Sequence, residues 1–215
     1  MSPATALVRG DDGRQRCPWA VSSADYVAYH DEEWGRPVHD DDALYEKLCL
    51  EAFQSGLSWL TILRKREGFR AAFEGFRIER VARLGSRDVE RLLGDPAIVR
   101  NRAKIEATIA NARAAAALGE AGGSLAELLW SFAPRGRRRA PRSPEDVPAT
   151  TVESVALAGE LKARAFRFVG PTTAYATMQA CGLANDHLAG CWVRGQVTRE
   201  RAAVGRVPPT RVRRA

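Results

Sequence analysis

The chain has 215 residues, of which 45% are hydrophobic and 27% charged, values of a globular protein large enough to bury a substantial core. No apolar run is long enough to span a bilayer, and Met1–Arg16 lacks the apolar centre of a secretory signal, so the sequence reads as cytoplasmic with no membrane partner. The net charge of +7 sits at the ends: residues 17–192 are neutral, whereas residues 193–215 hold seven Arg against one Glu.

In chain order, residues 1–15 read as a disordered tail. From Cys17 to Pro37 the sequence is aromatic and irregular, with Trp19, Tyr26, Tyr29 and Trp34 close together; such density either caps a core or lines a site for a planar ligand. Asp40, Asp41 and Asp42 then precede Leu44, Tyr45, Leu48, Cys49, Ala52 and Phe53, spaced as one buried helix face, with acidic residues suited to the positive helix end. Glu51 lies in this apolar run, and Ser55-Gly56 breaks the helix before Leu57, Trp59, Leu60, Ile62 and Leu63. Two readings of Glu51 stand: a solvent-facing carboxylate, or one wall of a pocket that Trp59 completes.

Phe69, Ala72, Phe73 and Phe76 predict a short helix, and Ile78–Leu84 another. Ser86 is an N-cap candidate for a segment that Gly94 closes. Residues 100–118 form an alanine-rich helix with Gly119 as its stop. Ser124 opens a capping box before Leu128, Leu129, Trp130 and Phe132, and Thr150 a second one before a helix reaching Arg164. Between them, residues 134–148 form a loop carrying Arg135, Arg137, Arg138, Arg139 and Arg142. Gly170-Pro171 starts a helix that ends before Gly182. Phe166–Val169 is the one strand candidate. These elements predict an all-α fold of many short helices: one domain over residues 16–192, followed by a basic disordered tail at 193–215. The basic loop and tail suit a polyanion such as DNA, or equally the solvated loops of an arginine-rich protein.

Four cysteines without a signal sequence do not make a disulfide framework. Cys49 and Cys181 read as buried thiols, and His39 as a surface residue. His187 and Cys191, at i and i+4, share one side of a helix or tight turn. With Cys17 and His30 they can complete a Cys₂His₂ set joining the two ends of the domain, a closed tetrahedral shell typical of structural zinc. Residues 89–112 can be a helix-hairpin-helix that binds a DNA phosphate beside Arg100, Arg102 and Lys104, or an ordinary helical hairpin.

Taken together, Arg16-Cys17-Pro18-Trp19, Tyr29–Gly35, Leu50-Glu51, Gln54–Trp59, Phe168–Thr172, Met178–Leu183 and Asn185–Cys191 resemble the bacterial 3-methyladenine DNA glycosylase I family over residues 16–192. The resemblance implies a divergent helix-hairpin-helix glycosylase with one structural Zn²⁺ on Cys17, His30, His187 and Cys191. It implies that Glu51 and Tyr29 hydrogen-bond the flipped base, that Trp59 stacks on it, and that Trp19, Tyr26 and Trp34 are further pocket walls. The Gln54–Leu57 break, with Gly56 and Leu57 at its tip, matches the loop that enters the duplex; Arg100 and Lys104 are the expected backbone contacts. No Asp lies between Asp95 and Asp146, so the aspartate usual after the hairpin is missing. With no lysine placed for a Schiff base, the implied enzyme is monofunctional. It works on double-stranded alkylated DNA as a monomer without an obligate protein partner. Two alternatives from other classes are a zinc-stapled DNA-binding module without excision and a metal-dependent hydrolase, the latter needing an open metal position.

Overall fold

The computed structural model describes residues 6–136 and 139–204. Among these the fold is all-α, with ten α-helices: α1 (Ala24–Glu32), α2 (Asp41–Gln54), α3 (Trp59–Ala72), α4 (Ile78–Val81), α5 (Ser86–Leu93), α6 (Arg102–Glu120), α7 (Leu125–Ser131), α8 (Val152–Ala163), α9 (Pro171–Ala180) and α10 (Arg194–Val204). None is long and apolar enough to cross a membrane.

Helix α2 is the hub, packing against α3, α4, α6, α7 and α9. Its Leu44, Tyr45, Leu48, Cys49 and Phe53 are fully buried, as the i, i+3, i+4 spacing requires. Tyr45 donates its hydroxyl to the Thr108 carbonyl of α6 at 2.8 Å, which keeps the buried phenol satisfied. The three aspartates at the start of α2 do more than their position suggests, because each caps a different helix. Asp40 accepts from Ala43 N of α2, Asp41 from Leu125 N and Ala126 N of α7, and Asp42 from Ile78 N of α4. Three N-termini therefore converge on one acidic turn. Cys49 and Cys181 are buried thiols, both pushed up to about 12 by burial. His39 is exposed, with its ring stacked on Trp130 at 4.5 Å.

Several boundaries differ from expectation. Phe69–Ala72 continues α3, and Phe76 belongs to a 3₁₀ turn after it. Ser86 is the first helical residue of α5, with Gly85 at the cap and Asp88 accepting from Gly85 N. Gly119 stays within α6, which ends at Glu120 before Gly122 at φ +81°. Thr151, paired with Ser154, caps α8 in place of Thr150. Phe166–Val169 is a turn, because the buried Asn111 side chain takes both backbone groups of Arg167, accepting its N–H at 2.7 Å and donating to its carbonyl at 3.1 Å. A strand partner has nothing left to pair with at Arg167.

The termini depart most. Val8–Arg9 (β1) and Gln15–Arg16 (β2) form a small antiparallel hairpin, and Arg194–Val204 is helical. Both are ordered by the same packing: Cys17, Leu188, Cys191, Val193 and Val197 form a separate buried cluster with Leu7, Trp19 and Trp192 against it. Arg36 pairs with Glu200 at 2.5 Å, and Arg201 donates to the carbonyls of Gly182 and Leu183, which docks α10. Gly182 itself has φ +77°, and a Cβ there would lie 2.6 Å from the Arg36–Pro37 peptide, so only glycine admits this approach. The tail expectation for residues 1–5 and 205–215 lies outside the described residues.

Candidate active site and metal centre

Cys17, His30, His187 and Cys191 come together as a buried group whose donor atoms all lie within 4.8 Å of one another. A tetrahedral zinc ion with ordinary bond lengths needs about 3.3 Å between two nitrogens and about 3.5 Å between nitrogen and sulfur. The structure has 3.2 Å from His30 Nε2 to His187 Nδ1, and 3.5 and 3.6 Å from Cys191 Sγ to those nitrogens. Cys17 Sγ stands 4.0 Å from His187 Nδ1. The remaining ring nitrogens are fixed from behind. His30 Nδ1 donates to Asp31 at 2.8 Å, and His187 Nε2 to the Trp34 carbonyl at 3.0 Å, which turns the two lone pairs inward. Asp31 is held in turn by Arg16 at 2.7 Å and by Trp192 Nε1 at 3.1 Å. Without a cation the two thiols resist double ionisation: their mutual hydrogen bond drives Cys17 up while it lowers Cys191. A divalent ion removes that conflict, so the donor set fits a closed metal shell with no open position.

Glu51 lies beside this centre, not in it. It is 7% exposed, which excludes the solvent-facing reading, and it lines a cavity of about 270 Å³. Trp19, Tyr26, Tyr29, Trp34 and Trp59 line the same cavity, so all six residues expected there are brought together. Burial pushes the Glu51 carboxyl up to about 8, against a partial opposing effect from Lys47 one turn earlier. Burial also raises the Tyr29 phenol, with the Glu51 charge adding to the effect. Tyr29 OH and Trp59 Nε1 are buried without a hydrogen-bond partner. Each such group costs about 1–3 kcal/mol unless a ligand satisfies it, so the cavity is shaped for a flat molecule with polar edges.

The walls pack against one another. Trp19 meets Tyr26 and Trp34 edge-on at 5.7 and 5.1 Å, and Tyr29 lies 5.3 Å from Trp59. Tyr26 accepts Leu60 N–H at 3.0 Å, tying α1 to the start of α3. Trp19 and Trp34 also pack on His30 and His187, so the metal centre backs the pocket wall. Sequence reasoning missed three lining residues, Gln54 of α2 and Ala176 and Gln179 of α9. Both glutamines stood inside segments singled out for their resemblance, but nothing in their local pattern marked them as facing the same space as Glu51.

The helix break is built as expected. Gly56 has φ +83°, Leu57 N donates to Gln54 O at 2.6 Å, and Ser58 then caps α3 by accepting from Thr61 N. Gln54 and Trp59 on either side line the cavity, so the turn forms its rim and leaves Leu57 42% exposed there.

The expected DNA contacts divide. Arg100 is exposed, whereas Lys104 is buried, its Nζ donating to Phe53 O at 2.9 Å and Ser55 O at 2.6 Å. Burial lowers its pKa, and its role is to close the carbonyl end of α2 below the rim. Lys104→Met is therefore expected to cost about 2 kcal/mol by orphaning two carbonyls, and to leave the salt dependence of DNA binding unchanged. Thermal melting and a salt titration read the two effects separately. The α5–α6 hairpin is also a poorer phosphate site than its spacing suggests, since Arg102 is engaged by Glu90 at 2.8 and 2.9 Å and Asn101 caps α6. Helices α8 and α9 form the most extensive helix pair, joined by a turn with φ +67° at Ala165 and +57° at Phe168. The N-terminus of α9 has no side-chain cap, and the same helix carries Ala176 and Gln179 into the cavity. The first aspartate after this hairpin is Asp186, which is bound to Tyr175 and Gln179 and does not line the pocket.

The methyladenine glycosylase family model matches residues 19–194. The chain belongs to the methyladenine glycosylase family. It is 46% identical over 180 residues to DNA-3-methyladenine glycosylase 1 of Escherichia coli K12, covering 82% of this chain and 95% of the relative. A crystal structure of 3-methyladenine DNA glycosylase I is 48% identical with a TM-score of 0.80, over 83% of this chain and 98% of the other. Another, a variant in complex with 3-methyladenine, is 34% identical with a TM-score of 0.79, over 83% and 97%. In this methyladenine glycosylase the aromatic pocket lies directly against the Cys₂His₂ group.

Proposed function

We propose that this methyladenine glycosylase extrudes N3-methyladenine from alkylated duplex DNA and hydrolyses its bond to the sugar, without cutting the strand. The observation that carries the reading is Glu51, a buried carboxyl in an aromatic cavity whose Tyr29 and Trp59 still lack hydrogen-bond partners. A base methylated at N3 is cationic while attached to the sugar, so its C1′–N9 bond is already weak. Glu51 loses its proton on meeting that cation and pairs with the charged, amino-bearing edge; unmodified adenine offers no such charge. Stacking on Trp59 adds about 0.5–2 kcal/mol of cation–π attraction. When the bond breaks, its electron pair neutralises the base, and water adds to C1′ with loss of a proton. Extrusion costs a few kcal/mol, less for a damaged base, and the exposed Leu57 is placed to fill the vacated stack.

Zn²⁺ fits the Cys17, His30, His187 and Cys191 set best and is structural, taking no part in the reaction. The uncapped N-terminus of α9 is the better phosphate site than the start of α6, lying roughly 12 Å along the helix from Gln179. One chain supplies every pocket residue, consistent with a monomer working in the cytoplasm where the DNA is.

Incubation with methylated duplex DNA, followed by chromatography of the freed bases, tests the reading. Release of 3-methyladenine, retention of 7-methylguanine and intact abasic strands are expected. Absence of any release by folded protein would leave only DNA binding.

A further inference from the structure

Among the side chains that line the cavity, the amide of Gln179 takes its orientation from a residue outside it. Gln179 lines the cavity from α9, which packs against α2, the helix that carries Glu51. One turn earlier on the same face, Tyr175 donates its hydroxyl to Asp186 Oδ2 at 2.5 Å. Gln179 donates to that same oxygen at 2.9 Å. A carboxylate oxygen that already accepts from a phenol has no proton to give, so the end of the Gln179 amide facing it must be the NH₂ group. The other end, the carbonyl oxygen, is then the group left for a ligand in the cavity.

We infer that Gln179, oriented by Asp186, reads position 6 of the extruded purine and selects adenine-type over guanine-type lesions. The inference rests on the proposed glycosylase activity and names its substrate preference. An adenine carries an amino group at position 6, with two N–H bonds; Glu51 and the Gln179 carbonyl can take one each. A guanine carries a carbonyl at the same place, which meets the Gln179 carbonyl acceptor to acceptor. Rotating the amide to offer its NH₂ to that oxygen would turn the Gln179 carbonyl onto Asp186, another acceptor, so the site cannot adapt cheaply. Asp186 is a positioning residue here: it never touches the base but prevents the flip that would erase the distinction. Such polar sites discriminate more strongly than apolar ones, because the wrong ligand leaves buried groups unpaired.

The test measures kcat/KM for release of 3-methyladenine and of 3-methylguanine from methylated duplex DNA, together with the affinity of each free base from quenching of tryptophan fluorescence. Wild-type protein should prefer the adenine lesion at least tenfold in both. Gln179→Met, similar in shape but without the acceptor, should lower that preference several-fold, the remainder being held by Glu51, while its melting temperature stays within a few degrees. Asp186→Asn, which allows the amide to turn, should lower the preference without abolishing release. Gln179→Glu, able to share a proton with Asp186 and still offer an oxygen to the cavity, should retain it. An unchanged preference in folded Gln179→Met, or equal release of both bases by wild-type protein, overturns the inference and leaves the glycosylase reading intact. Release of neither base by the wild type overturns both.

Discussion

Glu51→Gln is expected to lower kcat/KM for 3-methyladenine release by about 10²–10³-fold, the usual effect of removing one electrostatic partner from a water-poor site. It is also expected to make the protein more stable. The two outcomes share one cause, a carboxyl kept almost wholly from water and pushed up to about 8 by burial. In the unfolded chain the same group ionises near 4.5. Below that pH both states are protonated and the residue costs nothing. As pH rises from 4.5 to 8 the unfolded chain gains by ionising while the folded one does not, so stability falls with pH; above 8 the loss is complete. The advantage of the glutamine variant should therefore be near zero at pH 4.5 and grow to about 4 kcal/mol by pH 8. The other titratable groups facing Glu51 are Lys47 on α2, Tyr29 on α1 and Cys181 after α9. Lys47 is the only one of them that favours the ionised form.

Urea titrations across this range measure the stability difference directly. Catalysis should move the opposite way in wild-type protein, with kcat/KM rising as pH approaches 8 because the cationic base requires the ionised carboxylate. The glutamine variant should show no such rise below pH 8. If it proves less stable than wild type at pH 8, or equally active, the carboxyl is a packing residue and not the reader of the lesion's charge.

How far the sequence discloses this arrangement depends on whether the determining interaction is local. The face of α2 and the Gly56 turn follow from spacing and turn chemistry within a few residues, and they are where expected. Asp41 and Asp42 look like ordinary first-turn acids, yet their partners are 84 and 36 residues away. Lys104 shows the same dependence: a lysine near a helix start suggests a phosphate contact, whereas its amino group is bonded to carbonyls 51 and 49 residues away. The terminal segments read as tails because they are polar and rich in arginine, but Trp192, Val193 and Val197 find apolar partners only once Cys17 and Cys191 are neighbours. Gln179 follows the same rule, since its partner Asp186 lies beyond the turn at Gly182.

His187→Ala should show what the metal centre is for. Its ring joins three otherwise separate features: Nδ1 faces Cys191 and His30, Nε2 bonds the Trp34 carbonyl, and the imidazole packs edge-on against Trp34 of the pocket wall. The contacts it organises connect residues 157 and 161 positions apart in the chain, so their loss releases a large loop in the native state. Zinc bound at the folded site stabilises only the folded state, and an alanine leaves three donors that cannot complete the shell. Removal should cost about 3–5 kcal/mol and lower Tm by about 10–15 °C. Metal analysis should fall from one zinc per chain to well below it. Activity should be lost in step with folded protein, the surviving folded fraction retaining nearly normal turnover per active site. A cobalt-substituted wild type should give the spectrum of four protein donors and no bound water. A fully folded, zinc-free His187→Ala protein that has lost only catalysis would instead place the ion in the reaction. That outcome conflicts with the proposed function, in which the four side-chain donors fill a tetrahedral shell and Glu51 and Tyr29, which line the cavity, stand outside it.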